Sequence, residues 1–258
     1  MTGAVVAVVA HPDDEALIAG GTLALAAALG LPTGVVSLTR GELGPISDPL
    51  LADAETLGAV REGELAASAA ALGVDWVRCL RHPDGELEWI DTETAAGELA
   101  AVLRPVRPAV LLTFGADGLY GHPDHVATRR LAGRAAALLG DGGPRLYEAV
   151  WSLELVPDLV AAADRRGLPT SLWGLDPRAF GTPAGGATTR VDVRPGLDRK
   201  LRALRAHRTQ LGSDHLLSEL PDDLAARFLG VEAWRAVDPP PGADKLATLL
   251  GAGARDHG

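Results

Sequence analysis

The sequence predicts an α/β fold, a mostly parallel sheet sandwiched by helices with an irregular C-terminal cap region. Three observations predict it. Short apolar runs rich in Val and Leu recur at roughly 30-residue intervals, as strands covered on both faces do. Helical patterns lie between them, several closed by Gly. The alternation suits right-handed β-α-β crossovers, because parallel neighbours need a long connection.

Residues 5–9 (Val-Val-Ala-Val-Val) are the first predicted strand, and residues 16–29 the first helix, stopped by Gly30-Leu31-Pro32. Residues 35–39 are a second strand running into a loop at 40–44. Residues 45–56, with Pro45, Pro49 and scattered acids, read as an active-site loop. Residues 61–72 are helical up to Gly73, residues 76–80 form a third strand, and Pro83-Asp84-Gly85 is a turn. A helix is expected over 94–103, a buried strand over 109–114, a helix over 125–139 and a strand over 146–153. From 157 to 196 the pattern breaks up, and Pro169, Pro177, Pro183 and Gly185-Gly186 predict an irregular cap. An amphipathic helix follows over 197–211 and a shorter one over 222–229. Pro239-Pro240-Pro241-Gly242 ends the fold, so residues 1–238 read as one domain and 239–258 as a Pro-rich break with a loosely helical tail.

Composition narrows the function. With 258 residues, 47% of them hydrophobic, the chain can bury a sizeable core. Its 24 basic and 34 acidic residues give a formal charge of −10, which argues against nonspecific nucleic-acid binding. Aromatic residues at 4% are too few for a base-stacking platform. Cys79, the single cysteine, leaves no intrachain disulfide or thiolate cluster and reads as core rather than nucleophile. Residues 16–39 carry no charge, but Gly20-Gly21 and the stop at Gly30 argue against a membrane span. The expectation is a soluble, cytoplasmic protein acting on a small molecule, with no nucleic-acid or membrane partner. Its oligomeric state is open, a homo-oligomer included.

Two segments carry chemistry. His11-Pro12-Asp13-Asp14-Glu15 follows the first strand, and Tyr120-Gly121-His122-Pro123-Asp124-His125 lies just beyond the fourth. In open α/β sheets the loops at strand carboxyl ends meet in one crevice, so the two can converge. Together they offer imidazoles and carboxylates without thiols, a set suited to Zn²⁺ or another first-row divalent metal such as Fe²⁺. A catalytic metal takes about three protein ligands. His11, Asp14 and His125 supply such a triad and leave Asp13 as a carboxylate able to accept the proton of an attacking water. His122 precedes His125 by three positions and could stabilise an oxyanion or protonate a leaving group. A third His-Pro-Asp, at His82-Pro83-Asp84, is better explained as a turn because Gly85 follows. There is no dinucleotide cradle, Walker A loop or nucleophile elbow. His207, between Arg205 and Arg208, defaults to a solvated surface residue.

The two segments resemble the signatures of the PIG-L/LmbE family of zinc-dependent N-deacetylases. Arg61-Glu62-Gly63-Glu64, Pro83-Asp84-Gly85 and the stretch from Lys200 through His207 to Gln210 resemble weaker family features in the same order. The resemblance covers residues 1–152 well and 197–232 loosely. It implies a Rossmann-like sheet, zinc on His11, Asp14 and His125, and Asp13 as general base. His122 and Tyr120 would assist the tetrahedral intermediate, and Arg61, Asp84 and His207 would contact substrate. Family members deacetylate glucosamine-containing small molecules, thiol-cofactor precursors or glycopeptide antibiotics. The phospholipid-linked members, which carry a membrane anchor, are not expected here. The activity implied is removal of an acetyl or other short acyl group from an N-acylated amino sugar. A silent carbohydrate-binding module and a metal-dependent phosphoester hydrolase are the competing readings. Specificity is expected in loops 40–56, 81–92 and 155–190.

Overall fold

A computed structural model of the protein describes residues 3–181, 186–237 and 244–251. Among them seven strands form one sheet in the order β3-β2-β1-β4-β5-β7-β6. The strands are β1 (Ala4–Val9), β2 (Thr33–Thr39), β3 (Trp76–His82), β4 (Pro108–Thr113), β5 (Arg145–Ala149), β6 (Thr189–Asp192) and β7 (Val231–Ala236). The five from β3 to β5 are parallel, whereas β7 runs antiparallel to both β5 and β6. Every residue of β1, β2 and β4 is buried, as their continuous apolar sequences require.

Helices α1 (Gly20–Ala28), α2 (Leu57–Leu72) and α7 (Leu197–Ala206) pack together, and α3 (Thr92–Leu103) packs with α5 (Pro123–Leu138). The chain winds outward from β1 through β2 to β3, then returns to place β4 on the other side of β1. That reversal makes the β1/β4 junction the switch point, where an open α/β sheet has its crevice. Both chemistry-bearing segments leave the sheet there. The mostly parallel α/β expectation holds.

Several elements differ from expectation. The stretch from 157 to 196 contains α6 (Leu155–Asp164) and β6 as well as irregular chain. The edge strand β6 has only four residues, and it exists because β7 pairs with it. The alternating burial of Val231–Ala236 is the period-2 pattern of a half-covered strand. The expected strand over 146–153 stops at Ala149, and the helix over 197–211 stops at Ala206, where His207 leaves helical geometry (φ −82°, ψ 60°). Helix α8 (Asp222–Phe228) lies where expected. The fold also continues past the Pro-rich break. In α9 (Lys245–Leu249), Leu246 is fully buried and its N–H donates to the Tyr147 hydroxyl. Pro183, Gly185, Pro239 to Gly242 and the tail beyond Gly251 lie outside the described residues. Among the described residues, no helix is long and apolar enough to cross a membrane.

The first helix is broken near its start. Glu15–Ala19 form a π-helical turn, and α1 begins only at Gly20. The Glu232 carboxylate, reaching across from β7, accepts the Gly21 and Thr22 N–H groups at 2.8 Å each. Its partner is Lys200 of α7, 2.7 Å away and equally buried. Gly21 is required by close approach, since a Cβ there would lie 2.4 Å from Val193 Cβ. Removing one member of a buried ion pair leaves the other charge uncompensated and costs about 3–5 kcal/mol. Glu232→Ala should therefore lower unfolding stability by about that amount in denaturant titrations. A loss below about 1 kcal/mol, the range of an exposed pair, would show that Lys200 finds water or another partner.

Candidate active site

The strand β1 ends at Val9, and the chain turns through His11 to Asp14 into the π-helical turn. Across the switch point, β4 leads through Gly115 and the single turn α4 (Gly118–Gly121) to His122, which caps α5. Between these ends opens a cavity of about 350 Å³. His11, Asp13, Asp14, Arg61, Asp84, Tyr120, His122 and Gln210 form its polar lining. Leu17, Leu43, Trp173, Leu175, Leu204 and Leu211 form apolar walls. Leu43 and Pro45, Asp84 and Gly85, and Trp173 and Leu175 come from the three loops expected to carry specificity.

His11, Asp14 and His125 each present a ligand atom within 4.8 Å of the others, all three buried. Their tautomers follow from their partners. His125 Nδ1 lies 3.1 Å from the Gly118 carbonyl, which can only accept, so Nδ1 carries the proton. In the neutral ring Nε2 then presents a lone pair. It is buried, makes no hydrogen bond, and faces Asp14 Oδ1 at 3.3 Å. Two lone pairs facing each other call for a cation between them. His11 Nε2 lies 3.1 Å from Asp84 Oδ1 and 3.3 Å from Asp124 Oδ2, so its proton is held by carboxylates. That leaves Nδ1 free, 3.4 Å from Asp14 Oδ2. This carboxylate-imidazole arrangement orients metal ligands from behind. The donor set therefore fits a divalent metal.

The electrostatics agree. Burial works against a charged His11, but hydrogen bonds to Asp124, Asp14 and Asp84 outweigh it and raise its pKa well above the usual value. Burial alone would raise Asp14, yet His125 and His11 hold its carboxyl well below the usual range. The field that draws a proton to His11 also draws a metal cation to the triad. His11, Asp84 and Asp124 form a second close group. Its carboxylates are engaged elsewhere, Asp84 by the Leu43 N–H and Asp124 by those of Gly85 and Leu87. A two-metal arrangement is thus poorly served.

Asp13 lines the cavity beside the triad with a left-handed backbone, φ 121°. Burial pushes its carboxyl up to about 6, with Asp14 adding to the rise and the Arg61 guanidinium opposing it. His122 Nδ1 accepts the Asp124 N–H at 3.2 Å, so Nε2 carries the ring proton. Burial and the neighbouring His125 and His11 push His122 down to about 4, which keeps it a neutral donor at neutral pH. Burial also raises the Tyr120 phenol above its ordinary value, reinforced by Asp14 and Asp13, so its hydroxyl stays protonated. Tyr120 stands edge-on to His122 and His125, with ring centroids 5.7 and 5.2 Å away.

Of the three residues expected to contact substrate, Arg61 and Asp84 line the cavity and His207 does not. Arg61 is buried and directs its guanidinium at protein oxygens: Gly41 O at 2.7 Å, Pro12 O at 2.5 Å and Asp13 Oδ2 at 3.2 Å. Gly41 and Gly44 make room for it, since a Cβ at either would lie within 2.4 Å of its guanidinium. Asp84 touches the cavity but spends its oxygens on His11 and Leu43. His207 is neither solvated nor in the cavity lining. It is fully buried with Nε2 2.8 Å from Glu15 Oε1, three positions beyond Leu204 and seven beyond Lys200 on the buried face of α7. Asp124 and Glu15 were not singled out by sequence. The signal was there, since each is the acid of a chemistry-bearing segment left without a role.

A family model described as PIG-L, GlcNAc-PI de-N-acetylase, matches residues 6–136. The 1D-myo-inositol 2-acetamido-2-deoxy-alpha-D-glucopyranoside deacetylase of Acidothermus cellulolyticus is 38% identical over 249 residues, 87% of this chain and 85% of that one. Among solved structures, N,N'-diacetylchitobiose deacetylase from Pyrococcus horikoshii superposes with a TM-score of 0.62 at 25% identity, covering 91% of this chain and 83% of that one. GalB, the 4-carboxy-2-hydroxymuconate hydratase of Pseudomonas putida KT2440, superposes with a TM-score of 0.66 at 20% identity over 94% of this chain and 99% of that one, a likeness of fold alone.

The orphaned His125 Nε2 leads to a prediction for metal content. The purified protein should carry one divalent metal per chain by elemental analysis, and His125→Ala should lose it while keeping its circular dichroism. Full occupancy in a folded His125→Ala variant would show that the cation is held elsewhere.

Proposed function

Because the chain belongs to the PIG-L family of de-N-acetylases, we propose that it hydrolyses the acetamide of an N-acetylglucosamine-containing small molecule, with zinc as the metal. One observation carries the reading. At one cavity, lined by His11 and Asp14 of a buried His-Asp-His triad suited to a cation, stand a carboxylate outside the triad and two protonated donors, Tyr120 and His122. Binding a sugar alone does not require a carboxylate of raised pKa beside the metal ligands. The Acidothermus relative acts on N-acetylglucosamine linked to inositol, and the same class of glycoside is the proposed substrate here.

A divalent cation on the triad supplies Lewis-acid polarisation of the amide carbonyl and acidifies the attacking water. Asp13 accepts the proton of that water as its oxygen bonds to the acetyl carbon. The Tyr120 hydroxyl and His122 Nε2–H donate to the oxygen on which negative charge develops, a contribution that is largest in a water-poor site. Asp13 then returns the proton to the departing nitrogen as the C–N bond breaks, giving a free amine and acetic acid, which ionises to acetate. Arg61 serves this step through Asp13. Its contacts to Pro12 O and Asp13 Oδ2 aim the carboxylate, leaving little of the guanidinium for substrate.

Asp13→Asn preserves size but cannot accept the proton. It should retain its metal and its KM while kcat for acetate release falls by about 10²–10⁴. Wild-type kcat in a metal-loaded Asp13→Asn protein would remove Asp13 from the chemistry, and loss of metal would make it a ligand.

The inward-facing guanidinium gives Arg61→Ala a different signature. It should lower kcat more than it raises KM, because Asp13 loses its aim. A rise in KM at unchanged kcat would restore Arg61 to a direct substrate contact.

A further inference from the structure

Glu15 and His207 take no part in the chemistry above, yet both are fully buried and Glu15 bonds directly to the Asp13 backbone. We infer that Glu15 and His207 are a positioning pair that locks Asp13 into its left-handed backbone conformation. The inference deepens the reading of Asp13 as general base and rests on it.

A non-glycine residue at φ 121° persists only where its surroundings over-determine it. Four fastenings do so. The Pro12 carbonyl, which precedes Asp13, accepts from Arg61. The Asp13 carbonyl accepts the Leu17 N–H at 3.1 Å. Its side chain accepts from Arg61, and its own N–H donates to Glu15 Oε2 at 3.0 Å. The first three come from α2 or the following turn. The fourth depends on where Glu15 is held, and that is decided from elsewhere in the chain.

The other oxygen of Glu15 accepts the Ser68 hydroxyl from α2 and faces His207 Nε2 at 2.8 Å. A carboxylate offers no proton, so Nε2 is the donor. His207 sits at the point where α7 ends, and the segment after it is clamped. Thr209 binds Glu64 of α2 through its N–H and its hydroxyl, at 2.8 and 2.6 Å, and the Gln210 side chain donates to Pro45 O at 2.9 Å. The early end of α7 thereby delivers an imidazole N–H to the rear of the base. The π-helical turn that begins at Glu15 belongs to the same arrangement, such turns recurring at functional sites. Without His207 the buried carboxylate keeps only Ser68 and can turn away from the Asp13 N–H.

The test combines crystal structures, metal analysis and steady-state kinetics of wild type, His207→Ala, His207→Gln and Glu15→Ala. In His207→Ala the Asp13 φ should turn negative, and kcat for acetate release should fall roughly 10–100-fold with KM and metal content kept. His207→Gln, whose side-chain N–H₂ can reach the same oxygen, should recover most of both. Glu15→Ala, which removes the acceptor of the Asp13 N–H, should behave like His207→Ala, and together with His207→Gln it carries the test if His207→Ala does not fold. Retention of the positive φ and of wild-type kcat in His207→Ala, or failure of His207→Gln to recover, would overturn the inference. A rise in KM alone would make His207 a substrate contact instead. A wild-type protein that releases no acetate would sink the deacetylase reading, while the Asp13 φ across the variants would still decide this one.

Discussion

Three carboxylates, those of Asp14, Asp84 and Asp124, converge on the imidazole of His11, and the rest of the site depends on how that buried negative charge is balanced. Ionised carboxylates removed from water are costly unless paired or hydrogen-bonded. Asp124 and Asp84 meet the requirement with backbone N–H groups of the loop after β3 and of the loop after β2. Asp14 accepts the His11 N–H but also faces a lone pair of His125. A positive charge between them, a metal ion or a proton on Nε2, reconciles that pair. The fold brings these groups together because β1 and β4 are neighbours at the switch point, and loops from β2 and β3 close over them.

The candidate site is arranged as an inner set of groups able to hold a metal and an outer set that orients them. His11 is steered by Asp84 and Asp124, and His125 is steered by the Gly118 carbonyl and stacked on Phe114 at 3.9 Å. Positive φ occurs at a non-glycine residue on both flanks of the cavity, Asp13 at 121° and Leu119 at 69°. Each such conformation costs about 1–3 kcal/mol, which surrounding hydrogen bonds must offset. Leu119 lets the chain double back so that Tyr120 and His122 face the same space as Asp13. Its carbonyl is engaged by the Gly181 N–H of the C-terminal third, tying that region to the rim of the site.

Much of this was legible in sequence, and the reason is local. The candidate metal ligands and the proposed base lie within two segments of five or six residues, each leaving a strand whose apolar composition is unmistakable. Contacts formed only by the completed fold were not legible. Glu15 and His207 are 192 positions apart, and the arginines beside His207 obscure that it continues the buried face of Lys200 and Leu204. Arg61 could be recognised as a residue of interest but not as one turned inward. The Gly41 and Gly44 positions that accommodate it sit in a separate loop. The β6–β7 pair escaped for the same reason, as a four-residue edge strand is defined by its partner more than by its own sequence.

Anomalous diffraction at the metal absorption edge tests the central claim most directly. The account predicts one strong peak per chain, about 2.0–2.2 Å from His11 Nδ1, His125 Nε2 and an Asp14 oxygen, with Asp13 outside the coordination shell. A peak lodged instead between His11 Nε2, Asp84 and Asp124, or one that includes Asp13 as a ligand, would contradict it.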